Sequence, residues 1–287
     1  ACYPLTQKNM EILNSLSNIF IAPTTKGLLA CGDEGEGKLL QEDQIIELIE
    51  GHNPINISTR HILITTGATL EPLDDVRYLT NSSSGLTGYY LAKEFLSKGE
   101  SVTVIAGLNS TSKLNNLINF PNFELIRVNR NQDMDEKVSR LFPLCDLYIS
   151  SAAISDITFP TNRGKLKKNA IENNLPIIKT KDILKDVISK KLDRQKIVGF
   201  AAESTLTQTI LNEKYQRKPV DLLIGTSVDN GLNCASAPKG FISNEAHYLV
   251  MNSHSTKEHK MTKSELAKLI YNWSIDNDRD SQDHPSV

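Results

Sequence analysis

Seven short apolar runs rich in β-branched residues recur along the chain, and segments of helical periodicity separate most of them. The runs are HILITTG, ESVTVIAG, FELIRV, DLYISSAAIS, KIVGFAAE, DLLIGTSV and AHYLVMN. Strands that alternate with helices in this way form parallel sheets with helices on both faces. The sequence therefore predicts a doubly wound, mostly parallel, Rossmann-like α/β fold, whose ligands bind beyond the carboxyl ends of the strands.

The two ends of the chain do not follow this alternation. Residues 1–50 predict a first helix, a short strand in IFIAP, a glycine-rich loop and a second helix in EDQIIELIE. The polar segment 51–60 predicts a linker. The main domain then covers residues 61–275 and ends in a helix that starts near Thr262. Residues 276–287 have no apolar period, which predicts a disordered tail.

Composition excludes several functional classes. The 287 residues are 39% hydrophobic, which is enough for a core, and the net charge of −2 favours neither nucleic acid nor an anionic membrane as a partner. No apolar run approaches the ~20 residues that span a bilayer, and the amino terminus lacks the pattern of a signal peptide. The four cysteines show no metal-binding spacing. We therefore expect a cytoplasmic protein with any anion site confined to a local cluster.

The segment TNSSSG, residues 80–85, opens the first helix of the main domain. Its backbone N–H groups and three serine hydroxyls would lie at the positive end of the helix dipole, where a phosphate or carboxylate binds well. Serine and glycine are also among the best plain N-cap residues. From these residues alone, both interpretations stay open.

Basic side chains occur in two other loops. Three lysines within 165–168 suit the neutralisation of a triphosphate or phosphorylated substrate, although a solvated surface run has the same composition. Lys214 and Lys218 are one helical turn apart and repel each other unless an anion joins them, although surface helices also tolerate such pairs. Asp156 suits a metal or ribose contact and suits an ordinary turn equally well.

Taken together, these loops resemble the phosphopantothenoylcysteine synthetase family of coenzyme A biosynthesis. That family shows a G-x-T-x-E-x-x-D-x-V-R-x-x-x-N-x-S-S-G loop, an A-A-x-x-D segment before K-x-K-K, a D-I pair and G-F-A-A-E. The matching residues here are Gly67, Thr69, Glu71, Asp74, Val76, Arg77, Asn81, Ser83, Ser84, Gly85, Ala152, Ala153, Asp156, Lys165, Lys167, Lys168, Asp182, Ile183 and 199–203. The motifs occur in the same order along the main domain, which makes the match far more specific than one glycine motif.

The resemblance implies a ligase that joins 4′-phosphopantothenate to L-cysteine. CTP would be the co-substrate that activates the carboxylate as an acyl cytidylate, and the cysteine amine would then attack the acyl carbonyl. Mg²⁺, with ligands the sequence does not assign, and a homodimer are also implied. The alternative is an NAD(P)-dependent Rossmann-fold reductase, but the loop between Gly67 and Gly85 is much longer than a dinucleotide-binding turn.

The resemblance also implies roles for individual residues. Asn81 would stabilise the oxyanion of the second step, and Lys165 would neutralise the triphosphate. Substrate-binding residues would be Arg77, Ser83, Ser84, Gly85, Ala152 and Ala153, with a structural ion pair as the alternative role of Arg77. Nucleotide-binding residues would be Gly67, Thr69, Asp156, Lys165, Lys167, Lys181, Asp182, Ile183, Leu184, Phe200, Lys214 and Lys218.

Residues 1–50 resemble the end of the FMN-dependent decarboxylase domain that precedes the synthetase in fused bacterial members. Cys31 would match the proton-donating cysteine of that domain. We expect this cysteine to be idle and the chain to bind no FMN, because the flavin-binding loops and catalytic histidine are not in this sequence. Ala68, Lys181 and Thr226 depart from the family pattern and bear on the choice between CTP and ATP. The bacterial fused type favours CTP.

Overall fold

The computed structural model describes residues 4–16, 19, 21–22, 24–28, 34–42, 45–46, 48–49, 58–160, 164–167, 175–227 and 244–280. The chain divides into two compact units, Ala1–Asn53 and Pro54–Val287. Within the described ranges, no helix has both the length and the apolar composition that crossing a membrane requires.

The first unit contains helix α1 (Pro4–Asn14) and an antiparallel hairpin of strands β1 (Thr25–Leu28) and β2 (Glu34–Lys38). The strand expected in IFIAP is wrong, because the described residues of that segment lie outside any strand. Backbone pairing explains the difference, since the glycine-rich segment predicted as a loop supplies the partner strand for residues 25–28. Cys31 lies outside the described residues, so its role stays a prediction.

The second unit contains the remaining strands and helices. The strands are β3 (His61–Thr66), β4 (Leu70–Pro72), β5 (Tyr78–Thr80), β6 (Ser101–Gly107), β7 (Phe123–Val128), β8 (Leu147–Ser150), β9 (Ile157–Thr158), β10 (Ile178–Lys179), β11 (Lys196–Glu203), β12 (Leu222–Ser227), β13 (Glu245–Met251) and β14 (Thr256–Thr262). The α-helices are α2 (Leu86–Ser97), α3 (Asn131–Leu141), α4 (Ile183–Ser189), α5 (Gln208–Arg217) and α6 (Lys263–Asp280). Two 3₁₀ helices cover Ser112–Asn119 and Phe142–Leu144.

Eight of these strands form one sheet in the order β14-β13-β12-β11-β8-β3-β6-β7. The six strands from β7 to β12 in this order are parallel, and β13 and β14 are antiparallel. The chain moves outward from β3 to β7 and then returns to β8 on the other side of β3. This reversal opens a crevice beyond the carboxyl ends of β3 and β8. The predicted doubly wound, mostly parallel Rossmann-like fold is confirmed.

Apolar clusters cover both faces of the sheet. Ile62 and Ile64 of β3 pack with α2 and α6 on one face, whereas Leu63 packs with α3, α4 and α5 on the other. Alternation of side chains along a strand produces this division. Because both faces are buried, the parallel strands are continuous apolar runs, which is why the sequence predicts them well.

Two features at the ends of the second unit differ from the sequence-based expectation. Helix α6 continues to Asp280, so residues 276–280 are helical and the predicted tail is wrong over those five residues. No glycine or proline interrupts this segment before Pro285, and polar side chains alone do not end a helix. At the other end, the Ser58 amide donates to the Gly99 carbonyl at 2.8 Å, so the last residues of the predicted linker pack with the sheet unit.

Candidate active site

A cavity of about 510 Å³ lies at the crevice between the carboxyl ends of β3 and β8 and extends past β11 and β12 to β13. Its walls are Thr66, Asn81, Ser82, Ser83, Ser84, Gly85, Leu86, Thr87, Ser151, Ala152, Ala153, Ile154, Asp156, Phe200, Ala201, Ala202, Lys214, Thr226 and Tyr248. The predicted site residues in this set are Asn81, Ser83, Ser84, Gly85, Ala152, Ala153, Asp156, Phe200 and Lys214. The fold thus brings together residues that are more than a hundred positions apart in the chain.

Helix α2 begins at the cavity with a glycine N-cap. Gly85 has a φ of 72° and no side-chain capping bond, and a Cβ atom built there would lie 2.9 Å from Ser110 Cβ. Both the positive φ and the short distance to Ser110 therefore require glycine at position 85. Gly85 occupies the N-cap position, but the Ser84 hydroxyl accepts from the Leu86 amide at 3.4 Å, so a serine bond is present at the head of the helix. Ser82, Ser83 and Ser84 line the cavity beside the positive end of the helix. Anion binding here stays a prediction.

The Asn81 side chain joins two loops that form one wall of the cavity. Its Nδ2 atom donates to the carbonyl oxygens of Ala153 at 3.1 Å and Ile154 at 3.2 Å. The Ala153 amide donates to the Gly67 carbonyl at 2.7 Å, and Thr69 Oγ1 accepts from the Ser155 amide at 3.1 Å. Gly67 and the fully buried Thr69 therefore hold this wall together and lie behind the cavity surface.

Arg77 forms an ion pair instead of lining the cavity. Its Nε atom donates to Asp74 Oδ2 at 3.0 Å, and its Nη2 atom contacts the same oxygen. The Nη2 atom also donates to the Leu166 carbonyl at 3.2 Å. The Asp74 carboxylate also accepts from the Leu166 amide at 3.1 Å. The Arg77 guanidinium holds the pKa of Asp74 well below its usual range. The ion pair of the structural alternative is present, and it anchors the segment that carries Lys165, while the substrate-binding role of Arg77 stays a prediction.

The predicted cationic residues are not gathered in one place. Lys165 and Lys167 are exposed and do not line the cavity, and Lys168 lies outside the described residues. Lys214 lines the cavity and pairs with Glu203 at the end of β11. Lys218 pairs with Asp182 at 2.6 Å. Any phosphate that approaches Lys214 or Lys218 must share the ammonium with a carboxylate.

The turn at residues 181–184 has a clear structural role. Lys181 donates to Asp135 at 2.8 Å and to Asp186 at 3.0 Å, and these carboxylates raise the pKa of Lys181. Asp182 caps α4 by accepting from the Lys185 amide at 3.1 Å. Ile183 is buried and Leu184 packs beside it in the core. The turn lies outside the cavity lining, so its nucleotide role rests on the resemblance.

Several cavity residues had no sequence signal for a site. Thr66 is the last residue of β3, and Ser151 comes directly after β8, where a switch-point crevice is expected. Tyr248 is 3% exposed, and burial raises the pKa of its phenol to about 12. Its place beside Thr226 depends on the antiparallel register of β12 and β13, which no local pattern encodes.

Fold and cavity together define the chain as a Rossmann-like α/β protein with a candidate ligand site at its switch point. Residues 57–276 match the family model described as DNA/pantothenate metabolism flavoprotein C-terminal domain. This match covers more than half of the chain, and the chain belongs to that family.

Named relatives agree with this assignment. The coenzyme A biosynthesis bifunctional protein CoaBC of Bacillus subtilis is 34% identical over 231 residues, which are 79% of this chain and 55% of the relative. The CoaBC protein of Borreliella burgdorferi is 30% identical over 275 residues, which are 93% of this chain and 66% of the relative. The chain therefore spans about half to two thirds of the length of these relatives.

A solved structure shows that the fold is shared more widely. A Cab2 mutant in complex with phosphopantothenate-cysteine superimposes with a TM-score of 0.61 at 14% identity, and the match covers 83% of this chain and 94% of that chain. At this identity the likeness establishes the fold alone.

Proposed function

We propose that this chain is a phosphopantothenate–cysteine ligase that acts in coenzyme A biosynthesis and uses CTP as co-substrate. The observation that carries the proposal is the single cavity at the switch point, which contains Asn81, the serine-rich head of α2, the Ala152–Ala153 segment, Phe200 and Lys214. The family match and the printed names of the CoaBC relatives support the same activity.

In the proposed first step, a carboxylate oxygen of 4′-phosphopantothenate attacks the α-phosphorus of CTP. The bond to the β-phosphate oxygen breaks, and pyrophosphate leaves with the electron pair. Two anions must approach each other, so cationic side chains lower the barrier by offsetting their repulsion. Lys214 lines the cavity among the described residues, which supports this role, and the family motif supports the same role for Lys165.

In the proposed second step, the cysteine amine attacks the acyl carbonyl carbon. Negative charge collects on the carbonyl oxygen until the bond to CMP breaks, and the amine loses a proton as the amide forms. A neutral amide donor stabilises such an oxyanion. Asn81 lies in the cavity wall, and its Nδ2 atom donates to two backbone carbonyl oxygens. In the proposed step, one of these two hydrogen bonds shifts to the oxyanion.

The residues of the cavity fit Mg²⁺ only as a companion of the triphosphate. Among the described residues, no group of three or more histidine, cysteine, aspartate or glutamate side chains could hold a metal. Mg²⁺ that is bound mainly by phosphate oxygens and water needs one or two carboxylates, and Asp156 is the carboxylate in the cavity wall. When bound there, the ion would offset phosphate charge.

The test is release of pyrophosphate from CTP by the purified chain. We expect release that requires 4′-phosphopantothenate, and phosphopantothenoylcysteine formed only when L-cysteine is added. Lys214→Met should slow release by about ten- to a thousandfold, as removal of a charge-stabilising group commonly does. Lys260→Met, an exposed site on β14, is the matched control and should leave the rate unchanged. Oxidation of NADPH without pyrophosphate release would refute the ligase and favour the reductase.

A further inference from the structure

A second cavity, of about 440 Å³, lies at the amino ends of β11 and β12, away from the switch-point crevice. Lys196 is the first residue of β11, Asp221 directly precedes β12, and Asn252 directly follows the antiparallel β13. Three side-chain rings complete this wall, those of Tyr215, His254 and Trp273. Among the described residues, this amino-end cavity and the switch-point cavity share none, and its volume is typical of small-molecule sites.

Asn252 brings an oriented N–H donor to the amino-end cavity. Its Oδ1 atom accepts from the backbone amides of His254 at 3.0 Å and Ser255 at 2.8 Å, which fixes the orientation of the side-chain amide. Within the described ranges, its Nδ2 atom contacts no acceptor. Because the turn already holds the amide in place, a ligand that binds Nδ2 does not have to order this side chain.

Lys196 and Trp273 add two further nitrogen donors to the same wall. Lys196 Nζ donates to the Ser274 carbonyl at 3.0 Å and lies 5.9 Å from the centroid of the Trp273 ring. An ammonium has three N–H groups and can bond several acceptors at once. The Trp273 Nε1 atom is buried and has no partner among the described residues. Buried N–H groups are normally satisfied, so this donor is stabilised when an acceptor reaches it.

The carboxylate in this wall is already occupied by protein donors. Asp221 Oδ1 accepts from Lys191 at 2.5 Å, and its Oδ2 atom accepts from the Ile197 amide at 2.7 Å. The amino-end cavity therefore offers donors rather than acceptors. A carboxylate is the acceptor that suits an ammonium and an amide N–H best, and the ring side chains favour a planar group next to it.

We propose that the amino-end cavity is a second binding site, which takes a small organic carboxylate that carries a planar ring. The carboxylate accepts from Asn252 Nδ2 and Lys196 Nζ, and the ring packs against the side chains of Tyr215, His254 and Trp273. This inference does not depend on the ligase activity, since no described residue of the switch-point cavity takes part.

The test uses the fluorescence of Trp273, which is the only tryptophan among the 287 residues and therefore reports on this wall alone. The full chain is titrated with benzoate and with benzamide, which has the same ring without the charge. Excitation at the red edge of the indole band avoids absorption by either compound. We expect a saturable change, with benzoate bound about ten- to a hundredfold more tightly, the range for hydrogen bonds to a charged group.

Two variants identify the groups that bind the carboxylate. Asn252→Asp keeps an oxygen that can accept from His254 and Ser255 but replaces Nδ2 with an anionic oxygen, so benzoate affinity should fall by about tenfold or more. Lys196→Met should weaken benzoate far more than benzamide. Asn272→Asp, exposed on α6 and outside the cavity wall, adds the same charge nearby and should bind benzoate as tightly as wild type.

Four results would overturn the site. A linear, non-saturating change would mean collision without binding, and equal affinity for benzamide would mean that no carboxylate is recognised. Equal losses in Asn252→Asp and Asn272→Asp would indicate a general charge effect. Weaker benzoate binding in Lys214→Met would place the ligand in the switch-point cavity. The proposed ligase activity stands or falls separately, on pyrophosphate release.

Discussion

At the residue scale, the Asp74–Arg77 pair shows that motif residues can hold a neighbouring segment in position without lining the cavity. Asp74 accepts from the amides of Val76, Arg77 and Leu166, and Arg77 returns a bond to the Leu166 carbonyl. These bonds fix the backbone on the carboxyl side of Lys165, and Asp75 fixes the Gly164 amide on the other side at 2.9 Å. The position of the Lys165 side chain therefore depends on two aspartates that precede it by about ninety residues.

We predict that Asp74→Asn loosens the segment around Lys165. The amide lacks the charge that holds Arg77, and one of its two polar atoms cannot accept a hydrogen bond. Trypsin should cleave after Lys165 faster than in wild-type protein under native conditions, and pyrophosphate release should slow in the same variant. Asp193→Asn, at an exposed site, serves as the control. Unchanged cleavage in Asp74→Asn would show that other contacts hold the segment.

At the element scale, helix α2 fits its strand through one close approach. A Cβ atom at Gly88 would lie 2.3 Å from the Cβ and Oγ1 atoms of Thr66, so only glycine lets the helix pack this tightly on β3. Thr66 Oγ1 also donates to the Gly85 carbonyl at 3.2 Å. The same contact thus sets both the packing of the helix and the position of its head at the cavity.

We predict that Gly88→Ala destabilises the protein although alanine is the better helix former. The propensity gain is about 1 kcal/mol, whereas overpacking costs about 1–3 kcal/mol, and the short contact places this site at the upper end. Thermal unfolding should therefore show a lower Tm than wild type. Arg140→Ala, at an exposed site on helix α3, should leave the Tm nearly unchanged. A raised Tm for Gly88→Ala would mean that α2 can move away from β3 at little cost.

The sequence predicts those strands and helices whose apolar periodicity is visible within their own residues. The parallel strands and α2 have the apolar periods that burial on the sheet requires, and their predicted limits are approximately correct except at β8. The run DLYISSAAIS extends five residues beyond Ser150, where β8 ends. Strand β14, TKEHKMT, is largely polar because it lies at the sheet edge, and β9 and β10 have only two residues each. For the site, motif order identified Asn81, Phe200 and Lys214, but Tyr248 enters the cavity only through the pairing of two strands.

At the scale of the whole molecule, apolar side chains are exposed on the short strands that project from the main sheet. Val76 is 60% exposed and Tyr78 54% in the β4–β5 hairpin, and Ile177 is 61% exposed beside β10. The family resemblance favours a second copy of this chain as the partner that covers these exposed apolar side chains. Burial of these side chains between two copies would remove apolar surface from water.

We predict that the protein is a homodimer and that Val76→Lys shifts it towards the monomer. A charge in the centre of an apolar interface loses its hydration without gaining a partner. Light scattering coupled to size exclusion measures the mass directly. Leu144→Lys, which changes a 65% exposed leucine in the second 3₁₀ helix, should remain dimeric. A wild-type monomer at micromolar concentration would contradict the prediction.

The two outer strands of the main sheet limit how copies of this protein can associate. Strand β14 exposes Lys257, Glu258 and Lys260, and β7 carries Glu124 and Arg127. Unpaired backbone on an edge strand invites addition of a further strand from another molecule, and charged side chains there oppose it. Growth of the sheet into open-ended fibres is therefore disfavoured at both margins. The dimer predicted above would therefore use other surfaces of the chain, and an interface that closes after two copies would not extend into filaments.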